Sequence, residues 1–183
     1  RFETKIGERL QVIGDAKNIE QSIAQSNAKF VLAGVPEDMG VKADLGLGGA
    51  DTAWVPFLEA FFKIQSNDFF EGSEVLLVGH FDFSQMANLI ENNAQSKEEK
   101  IEAYRHAINT VDDEVEKLVK IITEHKKIPI IIGGGHNNSY PCIKGAAKGL
   151  YKAGVIPIAQ INAINLDAHA DFRALEGRHS GNG

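Results

Sequence analysis

Residues 96–136 read SKEEKIEAYRHAINTVDDEVEKLVKIITEHKKIPIIIGGGH, and the architecture follows from them. Ser96-Lys97-Glu98-Glu99 has the form of a capping box, a hydroxyl residue followed three positions later by Glu. Ile101, Tyr104, Ile108, Val111, Val115, Leu118 and Ile122 then recur at alternating intervals of three and four. That spacing draws one apolar stripe along a long helix. His125-Lys126-Lys127 supplies cations where the helix dipole favours them, at the C-terminus. Ile128 to Ile132 follows at once, a continuous apolar run that reads as a strand buried on both faces. A stripe of about three heptads suits a helix laid on a sheet; a coiled-coil partner surface is the alternative.

The pattern repeats outward from this stretch. Ala28 to Val35 reads as a buried strand closed by Pro36, Glu74 to Gly79 as a second, and Ile161 to Leu166 as a fourth after Ile128 to Ile132. Ala53 to Ile64 reads as a helix capped by Asp51 or Thr52, with Pro56 in its first turn. A shorter helix is expected over Tyr140 to Tyr151. Alternating strands and helices imply a three-layer α/β/α sandwich on a mostly parallel sheet, with right-handed crossovers. The 183 residues suit one domain, residues 1–183.

Composition narrows the function classes. Hydrophobic residues make up 43% and charged residues 24%, the balance of a globular domain rather than a disordered chain. The net charge is −6 and the pI about 5.5, with no basic stripe, so nucleic acid is not an expected partner. Apolar runs fall far short of the roughly 20 residues that span a bilayer, so no membrane is expected. The single cysteine, Cys142, excludes a disulfide framework and fits a reducing, cytoplasmic compartment. The chain starts at Arg1 and stops in Ser180-Gly181-Asn182-Gly183, which reads as the front half of a longer protein.

In open α/β sheets ligands bind beyond the carboxyl ends of the strands, so the residues that follow each strand matter most. Asp167-Ala168-His169-Ala170-Asp171 follows the fourth. In an extended chain residues i, i+2 and i+4 share a side, so two carboxylates and an imidazole converge. Adjacent carboxylates repel, and a divalent cation removes the repulsion. Mixed oxygen and nitrogen ligands suit Mn, Fe, Co or Zn better than Ca or Mg. The plain alternative is a turn with Asp171 as a helix cap and His169 in solvent.

Gly133-Gly134-Gly135-His136-Asn137-Asn138 follows the third strand and brings His136 to the same edge as Asp167. Three glycines allow a sharp turn and a close approach to a ligand. A phosphate cradle is the rival, but the Gly-Lys-Ser/Thr ending of a P-loop is missing. Asp44 to Asp51 (DLGLGGAD) reads as a structural turn rather than a dinucleotide turn, with an active-site loop as the alternative. Arg173 to Gly183 is a polar loop in which Arg173 and Arg178 are suited to a substrate carboxylate. His80 ends the second strand and is expected to play a structural role near the rim. His106 and His125 are expected in solvent, and Cys142 in the core.

These motifs resemble the ureohydrolase superfamily of arginase, agmatinase and formimidoylglutamase. Gly133-Gly134-Gly135-His136 resembles its glycine-rich loop ending in a metal-binding His, and Asp167-Ala168-His169-Ala170-Asp171 its Asp-Ala-His-x-Asp motif. The family's late Asp-x-Asp motif would lie beyond Gly183. Where arginase and agmatinase usually carry Asp before the loop histidine, this chain has Gly135. Together with Glu176 to Asn182 (EGRHSGN), this looks closer to the formimidoylglutamase branch. The resemblance implies hydrolysis of N-formimidoyl-L-glutamate to L-glutamate and formamide, in histidine degradation. It implies two Mn2+ ions per full-length subunit, with Asp167 bridging them, His136 and Asp171 on one, and His169 on the other. Arg178, Ser180 and Asn182 would contact the substrate, a small molecule, and the subunits are expected to form a homo-oligomer. An agmatinase or arginase activity, a non-catalytic metal-binding relative and a nucleotide-binding doubly wound domain are the alternatives.

Overall fold

A computed structural model describes residues 3–169. Among the described residues four strands form one parallel sheet: β1 (Gln11–Val12), β2 (Phe30–Gly34), β3 (Val75–His80) and β4 (Ile128–Ile132), in the order β1-β3-β2-β4. Within the same residues lie the α-helices α1 (Ile19–Gln25), α2 (Met39–Ala43), α3 (Trp54–Phe61), α4 (Ser84–Asn93), α5 (Lys97–Glu124) and α6 (Ser139–Lys152). The expected α/β/α layering is present.

The strands are apolar throughout because both faces are covered, and their alternation sorts the residues into two cores. Leu32, Val75, Leu77, Ile130 and Ile132 face Trp54, Phe57, Leu58 and Phe61 of α3. Val31, Ala33, Leu76, Val78 and Ile131 face the other way, against Ile23 of α1 and Leu118 and Ile122 of α5. The α5 stripe falls where the three-four spacing puts it. Tyr104, Ile108, Val111, Val115, Leu118 and Ile122 are all buried, Leu118 and Ile122 against the sheet and the earlier residues in a core shared with α2 and α4, so the stripe is a core-facing surface and not a coiled-coil seam. The connections from β2 to β3 and from β3 to β4 run in opposite directions along the sheet. They carry α3 and α5 on opposite faces, as one common crossover hand requires.

The helix ends follow local chemistry. At the start of α5 the Ser96 side chain accepts the Glu99 backbone N–H at 3.1 Å, while Glu99 reaches back to the Gln95 N–H at 2.8 Å, one residue earlier than the usual box. At its end the Lys126 N–H bonds to the Thr123 carbonyl and the Lys127 N–H to the Ile122 carbonyl, a Schellman motif with Lys126 in the left-handed region at φ 58°. Helix α3 departs from expectation. A 3-10 turn over Ala50–Ala53 precedes it, so neither Asp51 nor Thr52 caps it, and Thr52 Oγ1 donates instead to the Gly49 carbonyl at 2.7 Å.

Two other expectations are corrected. Ile161 to Leu166 forms no strand; it carries no ladder, and Ile164 and Leu166 are more than 90% exposed. A strand needs a neighbour for its N–H and C=O groups and cover for its side chains. Among the described residues β4 pairs with β2 alone, so this run has neither. His125 is not in solvent: it caps α5, and its Nε2 is buried with no hydrogen-bond partner among the described residues. His106 is exposed as expected. Cys142 packs against the core beneath α5, and burial pushes its thiol up to about 12. No helix among the described residues is long and apolar enough to cross a membrane.

Helices α5 and α6 touch along small residues. A Cβ at Gly145 would lie 2.6 Å from the Glu116 carbonyl oxygen and 3.0 Å from Val119 Cβ. Around this contact Glu116 binds Lys144 at 2.7 Å and Lys148 at 2.5 Å, and Glu124 binds Lys152 at 2.5 Å. Overpacking typically costs about 1–3 kcal/mol, and removing a helix-interior glycine returns about 0.8–1 kcal/mol. With a rigid backbone oxygen only 2.6 Å away the cost falls at the upper end, so Gly145→Ala is expected to be destabilising by about 2 kcal/mol. Urea denaturation measures it, and an unchanged or raised midpoint would contradict the close packing.

Glu91 on α4 joins three elements. It lies 2.6 Å from Lys100 Nζ and 3.6 Å from Lys42 Nζ, and it accepts a short hydrogen bond from the Tyr104 hydroxyl. Lys100 first, then Tyr104, hold its carboxyl down to about 2. A carboxylate with a depressed folded pKa stabilises the fold above its ordinary value, and that contribution is lost as pH falls toward the folded value. Glu91→Gln should therefore be less stable than wild type at pH 7, with the gap closing between pH 4.5 and 2. Unfolding curves at a series of pH values read this directly, and a gap constant down to about pH 3 would refute the coupling.

Candidate metal centre at the carboxyl edge of the sheet

Strands β2 and β4 are neighbours in register, Phe30 opposite Ile128 and Gly34 opposite Ile132. Their carboxyl ends therefore open side by side, where connections on opposite faces of the sheet leave a crevice. The Val35 N–H continues the ladder to the Ile132 carbonyl at 2.9 Å, and both chains then turn away.

The turn after β4 needs its glycines. Gly133 and Gly134 both sit at φ 85°, and a Cβ on Gly134 would collide with the Val35 carbonyl and the Asn138 amide. An L side chain fits neither the torsion nor the space. A 3-10 turn over His136–Asn138 follows and runs into α6. It lifts His136 out of the sheet edge while Asn137 and Asn138 are buried beneath it.

The structure brings three expected ligands together. His136 Nδ1 lies 3.5 Å from Asp167 Oδ2, and His169 Nδ1 lies 3.4 Å from Asp167 Oδ1. The cause differs from strand alternation. Residues 167–169 form bends, and the His169 backbone N–H donates to Asp167 Oδ1 at 2.8 Å, an Asx-type turn that folds the triplet on itself. This N–H is the main influence holding the Asp167 carboxyl below its usual range, against slight desolvation and with help from the two imidazoles. Asp171, Arg173, Arg178, Ser180 and Asn182 lie outside the described residues.

Two ligands bound about 2.0–2.2 Å from one ion stand roughly 3–3.5 Å apart. Each imidazole stands at that spacing from an oxygen of Asp167. The imidazoles approach opposite oxygens, and among the described residues no three His, Cys, Asp or Glu side chains converge on one point. The arrangement is that of a carboxylate between two nitrogen donors, and two imidazoles with carboxylate oxygen suit a divalent first-row ion.

Sequence reasoning missed the residue behind this loop. Glu37 follows β2 and is 3% exposed. Its Oε1 accepts the Gly135 N–H at 3.1 Å, the Asn138 amide at 2.5 Å and, more loosely, the Asn137 amide at 3.4 Å. Its Oε2 accepts the Met39 N–H at 2.8 Å. A carboxylate just beyond a buried strand is the same signal that singled out Asp167, and Pro36-Glu37-Asp38 carries it. Asp38 turns the other way, pairing with Lys42 at 3.0 Å and accepting the Gly49 N–H at 3.0 Å, which fixes the glycine-rich turn before α3. A cleft of about 250 Å³ opens beside Glu37 toward Asp51, His80 and Asp82, and the His80 ring sits 6.1 Å from that of Trp54.

Three curated formimidoylglutamases are similar over part of the chain. That of Macrococcus caseolyticus is 38% identical over 76 residues, 42% of this chain and 22% of the relative. That of Corynebacterium efficiens is 40% identical over 65 residues, 35% of this chain and 18% of the relative. That of Streptococcus gordonii is 33% identical over 85 residues, 45% of this chain and 24% of the relative. The matched stretches thus span about a quarter or less of the length of these relatives. The Arginase family profile matches residues 28–183, from the start of β2 through both motifs of the crevice. With that match over most of its length, this chain belongs to the arginase family.

Proposed function

We propose that the full-length protein is a dimetal hydrolase of a C–N bond in a linear amidine, and that its substrate is N-formimidoyl-L-glutamate. The observation that carries this reading is Asp167 set between His136 and His169, each ring nitrogen within 3.5 Å of a different carboxylate oxygen. The formimidoylglutamase relatives support the choice of substrate. His136, Asp167, His169 and Asp171 would hold two Mn2+ ions. Paired divalent ions supply, when bound, a nucleophile from water at neutral pH and charge stabilisation for the tetrahedral transition state.

The chain's own residues do the rest. The backbone N–H of His169 fixes the Asp167 carboxylate and keeps it ionised, so both its oxygens stay available as acceptors. With the formimino carbon directed at this carboxylate, the two substrate carboxylates would point away from it. Arg178 would bind one of them in bidentate fashion, and Ser180 and Asn182 would contact the substrate beside it. The reaction adds water across the C–N bond, and the leaving nitrogen takes a proton as glutamate departs and formamide remains. The reading makes the protein a cytoplasmic homo-oligomer acting in histidine degradation.

The test is steady-state turnover by full-length protein with Mn2+ and three substrates, formimidoylglutamate, agmatine and arginine. Formimidoylglutamate should give the highest kcat/KM; faster turnover of either guanidine would overturn the substrate. A hydrogen bond to a charged group contributes roughly 1.5–3 kcal/mol, so Arg178→Ala should lower kcat/KM on the order of 10- to 150-fold with bound Mn2+ unchanged. Turnover like the wild type's would remove Arg178 from the site. Imidazole must be neutral to bind a metal, so activity should fall between about pH 8 and pH 5, across the free-histidine value of roughly 6.5. Flat activity over that range would contradict histidine ligation.

A further inference from the structure

We propose that Glu37 is a positioning residue that acts through Gly135, Asn137 and Asn138 to hold His136 toward Asp167, and so sets the metal affinity of the centre. The inference rests on the metal reading above.

Four donors converge on the two oxygens of Glu37: the Met39 and Gly135 backbone N–H groups and the Asn137 and Asn138 side-chain amides. The Glu37 backbone carbonyl takes the Gly135 N–H as well, at 3.1 Å, so residue 135 is gripped from both ends of Glu37. The Asn138 amide also donates to the Gly135 carbonyl at 3.0 Å. Between the gripped residues the His136 side chain stands partly exposed, facing Asp167. Gly133 and Gly134 are free to take other torsions, so without a clamp the histidine would be carried on a hinge. Glu37 thus does for the loop what outer-shell carboxylates do for ligating histidines, one bond farther out, through the backbone rather than the ring.

Only a carboxylate meets this demand. A glutamine of the same length offers one oxygen, and its NH2 group must face an N–H at one end or the other. That leaves buried donors unpaired beside the loop. Loss of outer-shell partners commonly weakens metal binding about 10- to 100-fold.

The experiment titrates Mn2+ into the full-length protein by calorimetry and by electron paramagnetic resonance of free Mn2+, for wild type, Glu37→Gln, Asn138→Ala and Glu116→Gln. Glu116 pairs with Lys144 and Lys148 at the contact of α5 with α6, makes no bond to Glu37, and controls for a merely structural loss. Glu37→Gln should raise the Mn2+ Kd about 10- to 100-fold and speed amide exchange at Gly135–Ser139, while Glu116→Gln lowers stability with Kd unchanged. Asn138→Ala leaves Glu37 its backbone partners and should shift Kd in the same direction by less, which keeps the test open if Glu37→Gln does not fold. Wild-type affinity in both loop variants, or an equal loss in Glu116→Gln, overturns the inference. If wild type itself takes up no Mn2+, the metal reading fails. The positioning role is then judged in the metal-free protein by the His136 ring resonances, which must move in Glu37→Gln and stay in Glu116→Gln.

Discussion

The ladder between β2 and β4 joins two five-residue strands about a hundred positions apart in the chain, and the rest of the molecule is arranged to permit it. Parallel neighbours cannot be linked by a tight turn, so the chain must return to its starting end between them. Here it returns twice, through α3 to β3 and through α5 to β4. A 28-residue helix is about 42 Å long, more than the return needs. The surplus carries α5 past the sheet, where its first turns pack on α2 and α4 instead. One ladder therefore brings two otherwise distant loops, Val35–Asp38 and Gly133–Asn138, into contact.

What was readable in the sequence divides by how local its cause is. The stripe of α5 was legible because seven residues share one spacing over a long span, and β4 because five apolar residues sit between a lysine pair and three glycines. The short helices α1, α2 and α4 were not read. Each has only 5–10 residues, and α4 (SQMANLIENN) carries too few apolar positions to mark a face. Ile161 to Leu166 misled for the opposite reason. Its composition suits a strand, but a strand exists only with a partner, and composition says nothing of partners.

The site shows the same division. Asp167, His169 and His136 stood out because such residues seldom end buried strands without chemical cause. Their grouping was foreseen; its mechanism was not, since an Asx turn gathers the triplet where alternation along a strand was expected. Glu37 stayed hidden because its role depends on two turns meeting across the sheet, although its place just beyond a buried strand was a local signal of the kind that marked Asp167. The adjacent acids then divide the work, Glu37 toward the histidine loop and Asp38 toward the loop before α3. A network running through Lys42 and Glu91 to Lys100 and Tyr104 ties this corner to α5.

Cys142 has a consequence of its own. A thiol held near 12 is ionised in only about one molecule in 10⁵ at neutral pH, and the thiolate is the form that oxidants and alkylating agents attack. It is the single cysteine of the chain and is shielded by the packing of α6 against α5. Intermolecular disulfides and peroxide damage at sulfur are therefore slow so long as that packing holds. Alkylation of Cys142 therefore reports the separation of α6 from α5, and with a reagent fast enough to outpace reclosing its rate is the rate at which the helices part.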